Sequence, residues 1–122
     1  MKYKLIQRAN PQDRMAVKWY ALPVNDGKIS KSDLARRIVN MSSLSRGDVS
    51  NVIENMIDIV PKYLMMGKSI SLGELGTLRV SFGSDGVDDA AQFSNAKIKG
   101  LKIIFTPSVE LKKELEAIRF EK

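Results

Sequence analysis

The chain has 122 residues, the size of one ordinary domain or of a domain of roughly 90 residues with an extension. Twenty Lys and Arg against fourteen Asp and Glu give a formal net charge of +6, a balance that favours polyanionic partners, chiefly nucleic acid. The chain has no Cys and no His, which excludes disulfide frameworks, most zinc sites and catalysis by imidazole or thiol, so an enzyme would have to run on carboxylates or lysines.

In chain order, Lys2 to Arg8 and Met15 to Leu22 have strand-like content and are separated by the turn signal Ala9-Asn10-Pro11-Gln12-Asp13-Arg14, which predicts an N-terminal hairpin. Pro23 and Asn25-Asp26-Gly27 end it and mark a boundary between an extension, residues 1–28, and a main body, residues 29–122. Ser30 or Ser32 can cap a short helix with Leu34, Ile38 and Met41 on one face and Asp33 in its first turn. That helix is expected to break between Asn40 and Leu44. Ser45-Arg46-Gly47-Asp48 then has the form of a capping box. Val49, Val52, Ile53, Met56, Ile57, Val60, Tyr63 and Leu64 recur every three or four residues beyond it, the clearest amphipathic helix in the chain. Pro61 predicts a kink or break there, and Gly67 a C-terminal cap.

Ser69-Ile70-Ser71-Leu72 and Thr77 to Phe82 alternate polar and apolar residues around the turn Gly73-Glu74-Leu75-Gly76, the pattern of two paired strands. Gly83 to Ala96 reads as an acidic connection with Asp85, Asp88 and Asp89. Lys97 to Phe105 returns to a strand that Pro107 stops. Ser108 caps a last helix carrying Val109, Leu111, Leu115 and Ile118. Residues 1–37 carry a net charge of +6, residues 38–96 of −3 and residues 97–122 of +3, so basic ends flank an acidic middle.

This order of elements resembles the bacterial histone-like HU and integration-host-factor family. Ser30-Lys31-Ser32-Asp33-Leu34 looks like that family's opening helix, and Leu44 to Val49 like the start of its dimer-forming helix. Gly67-Lys68-Ser69-Ile70-Ser71-Leu72-Gly73-Glu74-Leu75-Gly76-Thr77-Leu78-Arg79-Val80 runs without a gap along its helix-end, strand, turn and strand signature. Phe105-Thr106-Pro107, followed by Leu111-Lys112, is similar to its closing segment. Residues 1–28 lie outside the match and look like the N-terminal strand extension of a divergent subgroup found in Bacteroidetes.

The resemblance implies an α+β fold: two N-terminal helices, a three-stranded antiparallel sheet with an arm-like connection, and a C-terminal helix, intertwined as a homodimer. The dimer interface expected is Val49, Val52, Ile53, Met56, Ile57, Val60 and Leu64, because one chain would leave that broad stripe partly uncovered. It also implies double-stranded DNA as the partner, bound in the nucleoid of the cytoplasm. The segment at the start lacks a signal peptide's apolar run, and no stretch approaches a membrane span.

The family's arms are rich in Arg and Lys and end in an intercalating proline, whereas Ser84 to Phe93 here carry three carboxylates, no cation and no proline. Phosphate would repel this segment, and strong bending by the arms is not expected. Leu75 and Leu78 stand where the family has aromatics, and Val109 where it has a basic residue. The remaining candidate DNA contacts are Lys31, Lys68, Arg79, Lys97, Lys99 and Lys102, with Lys97 and Lys99 on one strand face and Lys102 on the other. Trp19 and Tyr20 have the chemistry to stack on bases, but are expected rather to pack the extension on the body. No metal, cofactor, small-molecule substrate or catalytic residue is expected; the acids of the connection do not fit a calcium loop. An HU-like interaction or assembly module with weak or no DNA binding stays open as the alternative to a histone-like DNA binder of low sequence specificity.

Overall fold

Each of the two main helices starts at a serine whose hydroxyl accepts a backbone N–H three residues on, while the acid at that position accepts the serine's own N–H. The computed structural model covers residues 1–122. Ser30, the first of these caps, opens α1 (Lys31–Met41), and Ser45 opens α2 (Arg46–Met65). At α1 the N–H and hydroxyl of Ser30 donate to the Asp33 carboxylate over 3.0 and 2.9 Å. These two bonds, with help from Arg36, hold Asp33 below the ordinary carboxylate range.

Of the kink or break expected at Pro61, the break does not occur: α2 runs on through it to Met65. The proline removes one backbone bond, but the helix end is closed by a Schellman motif. Lys68 N–H donates to the Tyr63 carbonyl at 3.1 Å and Gly67 N–H to Leu64 at 3.0 Å, so the last carbonyls are satisfied. Packing of α1 on α2 buries Ala35 and Val49.

The body sheet is antiparallel, in the order β3 (Ile70–Ser71), β4 (Gly76–Ser84), β5 (Ile98–Pro107). A 3₁₀ turn, Gly73–Leu75, joins β3 to β4. Ser108 fastens the closing helix α3 (Val109–Leu115) to that turn: its N–H donates to the Leu75 carbonyl at 3.2 Å and its hydroxyl to Glu74. The helix ends earlier than its apolar spacing predicts, leaving Ile118 beyond it, because the chain turns at Glu116 and Ala117 and extends toward the N-terminus.

Gly76 is the tightest point of the sheet. It is buried, has φ +151°, and a Cβ there would lie 2.6 Å from the Phe105 ring and collide with the Thr106 carbonyl. Gly76→Ala is expected to lower the unfolding free energy by about 3 kcal/mol, from backbone strain and overpacking together, read as a fall in urea midpoint at constant m value.

The N-terminal hairpin pairs β1 (Tyr3–Asn10) with β2 (Asp13–Pro23), and Asn10 Oδ1 accepts the Gln12 N–H at 2.9 Å across the two-residue turn. Its free edge is taken by the C-terminal segment. Tyr3 N–H donates to the Glu121 carbonyl and Glu121 N–H to the Met1 carbonyl, each at 3.0 Å, making a short parallel bridge. The hairpin is thus tied to the end of the body. Trp19 is 63% exposed and Tyr20 is also exposed, so the expected packing of these rings on the body is not made within the chain.

Only Ala35, Val49, Leu64 and Gly76 are buried, and the chain exposes 10605 Å². A compact monomer of this mass would expose roughly 6,600 Å². Many large apolar side chains are among the exposed residues. Val52, Met56 and Ile57 on α2 are exposed, Ile53 and Val60 half-buried, and only Val49 and Leu64 of that stripe are covered by the chain itself.

Candidate nucleic-acid interface

Pairing between β4 and β5 decides which cations share a surface. Arg79 stands opposite Ile104, Ser81 opposite Lys102, and Gly83 opposite Lys99. Between the last two pairs, Gly100 and Leu101 together oppose Phe82 alone, a bulge in which Gly100 takes φ +68°. A bulge shifts the alternation by one. Lys99 and Lys102, which simple alternation puts on opposite faces, therefore share the face of Arg79, Ser81 and Gly83.

Lys102 joins Lys99 instead of opposing it. Lys97 leaves the strand altogether: it ends a 3₁₀ turn, Asn95–Lys97, where its carbonyl accepts the Asp85 N–H at 2.9 Å and its side chain is half-buried.

The opposite face of the same strands carries Leu78, Val80, Phe82, Leu101, Ile103 and Phe105 and looks toward the end of α2. A groove of about 1030 Å³ separates them, lined by Pro61, Leu64 and Met65 from the helix and Val80, Phe82, Leu101 and Ile103 from the sheet. The sheet thus has an apolar inner face and an outer face that is polar apart from Ile104.

Two of the six candidate cations are already paired. Lys31 forms an ion pair with Glu54 on α2, and Lys99 with Asp85 at the start of the connection. Arg79, Lys102 and Lys68 are exposed and make no ion pair. The outer face therefore offers Arg79 and Lys102 as free cations and Lys99 as one held by a carboxylate. The connection from Asp85 to Lys97 is irregular apart from two short 3₁₀ turns, Ala90–Gln92 and Asn95–Lys97, with Asp89 Oδ1 accepting the Ala91 N–H at 3.1 Å. No cluster of acids is placed to hold a metal ion, and no helix is long and apolar enough to cross a membrane.

Sequence reading missed the cations of the hairpin. Arg8 and Lys18 are directly opposite in the β1–β2 register, with Lys4 on the same face. The signal was present in Lys4-Leu5-Ile6-Gln7-Arg8, where the basic residues recur at an even spacing.

A capped helix pair, a three-stranded antiparallel sheet with a polar outer face and a short closing helix define an HU-like α+β fold. The chain belongs to the HU-HIG family, the HU domains fused to a winged helix-turn-helix, Ig or glycine-rich motif, whose model matches residues 1–122. The fold is also that of a candidate bacterial DNA-binding protein from Bacteroides vulgatus ATCC 8482, known from a crystal structure, with a TM-score of 0.64 at 20% identity. The likeness covers 98% of this chain and 46% of that one, so the chain spans about half the length of that protein. No curated protein sequence matches the chain.

Proposed function

We propose that the chain is a histone-like DNA-binding protein that acts as an intertwined homodimer and holds duplex DNA by phosphate contacts with little sequence preference. The observation that carries this reading is the bulge at Gly100, which gathers Arg79, Lys99 and Lys102 on the polar face of a sheet whose other face is apolar. Cations spread along a strand surface, with no carboxamide set among them to read base edges, suit backbone contact. The second copy accounts for the uncovered stripe of α2 and the groove beside it. A partner helix would fill both with the apolar side chains now facing water. In this proposal residues 29–122 are the HU-like body, residues 1–28 its β extension, and the protein works in the nucleoid.

Binding does not run through an intercalating arm. The connection holds Asp85, Asp88 and Asp89 and no proline, so it repels phosphate and has no wedge. The assembly-module reading is weaker because the outer face keeps two unpaired cations.

Competition between unrelated duplexes tests the proposal. Affinities within about threefold of one another support backbone recognition, whereas one sequence preferred by several orders of magnitude contradicts it. The Lys99–Asp85 pair adds a finer check. Asp85→Asn releases the ammonium and removes one repelling charge, and is expected to tighten duplex binding by about tenfold, measured by fluorescence anisotropy in low salt.

A further inference from the structure

We infer that the N-terminal hairpin is a second DNA-contacting surface, which grips the phosphate backbone with Arg8, Lys18 and Lys4 separately from the outer face of the body sheet. This rests on the DNA-binding reading above and assigns part of that contact to residues 1–28.

Register supplies the first reason. Arg8 and Lys18 face each other directly across the hairpin, and Lys4 lies four residues back on the same face. Like charges directly opposite destabilise a strand pair, and no carboxylate in the chain pairs with either of these. The ion pairs of the chain involve Lys2, Lys31, Arg36 and Lys99, and none of the three hairpin cations. Asp13, the one acid between Met1 and Asn25, is turned to the backbone and accepts the Met15 N–H at 3.1 Å. A bridging anion would convert the repulsion into two attractive contacts.

Shape supplies the second reason. Near the tip, Arg8, Asn10, Lys18 and Tyr20 line a groove of about 440 Å³. The Arg8 guanidinium carbon lies 5.9 Å from the centre of the Tyr20 ring, which orients the fork without neutralising it. A guanidinium and an ammonium around a shallow groove with no carboxylate suit a phosphodiester. A two-stranded ribbon also has the width that the major groove admits, so the hairpin can follow DNA without a change of fold.

The test uses the full chain with Arg8→Gln and Lys18→Gln together. In the dimer the two substitutions remove four phosphate contacts, which is expected to weaken duplex binding by about 1,000-fold at 0.1 M salt and to flatten the log–log salt slope by about 3.5. Both side chains are exposed and repel each other, so the variant should melt no lower than the parent. The exchange Arg8→Lys with Lys18→Arg keeps both charges and should bind within a few-fold of the parent. Unchanged affinity and slope in the glutamine variant, with the parent binding DNA, would overturn the hairpin inference alone. A parent that binds no duplex would overturn the DNA-binding reading and this one with it. If the glutamine variant kept its DNA affinity but no longer bound phosphatidylserine vesicles, the face would belong to a membrane surface and the inference would fail.

Discussion

Ile57→Asp is expected to abolish the folded dimer. The side chain is 52% exposed in the single chain, so a monomeric protein would accept a carboxylate there at almost no cost. In the proposed dimer the same position lies in the shared core, on a helix stripe that also includes Val52, Met56 and the half-buried Ile53 and Val60. A two-fold interface repeats every substitution, so two unpaired carboxylates would be buried at once, each costing at least about 3 kcal/mol. Few proteins hold enough stability to absorb twice that. Light scattering and circular dichroism should therefore show an unfolded or monomeric species for the variant and a folded dimer for the parent. A folded Ile57→Asp variant with the parent's mass in solution would contradict the shared core.

The second large effect is expected at the outer face of the sheet. Arg79→Glu with Lys102→Glu replaces its two unpaired cations by anions, on a surface where Lys99 is already held by Asp85. Each phosphate contact is worth about tenfold in affinity at 0.1 M salt through counterion release, and reversal adds repulsion to that loss. In a dimer the two substitutions change four positions. Duplex binding is expected to fall by at least about 1,000-fold, with dimer mass and melting temperature preserved because both side chains are exposed. Binding within tenfold of the parent would remove this face from the contact surface.

Those two faces were legible in the sequence to different degrees. Local chemistry announced the helices: Ser45 with Asp48 reads as a capping box, Ser30 or Ser32 as a cap ahead of Asp33, of which the structure uses Ser30, and the three- and four-residue recurrence from Val49 to Leu64 marks the uncovered stripe. The turn from Gly73 to Gly76 was equally plain, because its signals are contiguous. What failed was anything set by pairing over distance. Simple alternation placed Lys102 away from Lys99, and the bulge reversed this; the isolated Gly100 in an otherwise strand-like run was the available signal. Lys31 and Lys99 read as free cations because Glu54 and Asp85 lie 23 and 14 residues away, and only the folded chain brings each pair together. The closing helix was read too long for a similar reason. Its tail exchanges helical bonds for a bridge to Lys2, almost the whole chain away.

The division of labour between the faces also accounts for the acidic connection. In a protein that bent DNA with its arms, Asp85, Asp88 and Asp89 would oppose function. Here the strand pair ends at Ser84 and Ile98, and Asp85 is used to hold Lys99. In the proposed binding mode contact moves to the sheet surface and the hairpin, where the unpaired cations are.

The central claim, that this dimer holds duplex DNA through phosphate contacts, is tested most directly by titrating the unmodified protein against one fluorescent duplex across a series of salt concentrations. Arg79 and Lys102 from two chains make four contacts, which predict a log–log slope of roughly −3.5, and steeper if the hairpin adds its own. A flat slope, or no binding in low salt, would contradict the claim and leave the fold as an assembly module.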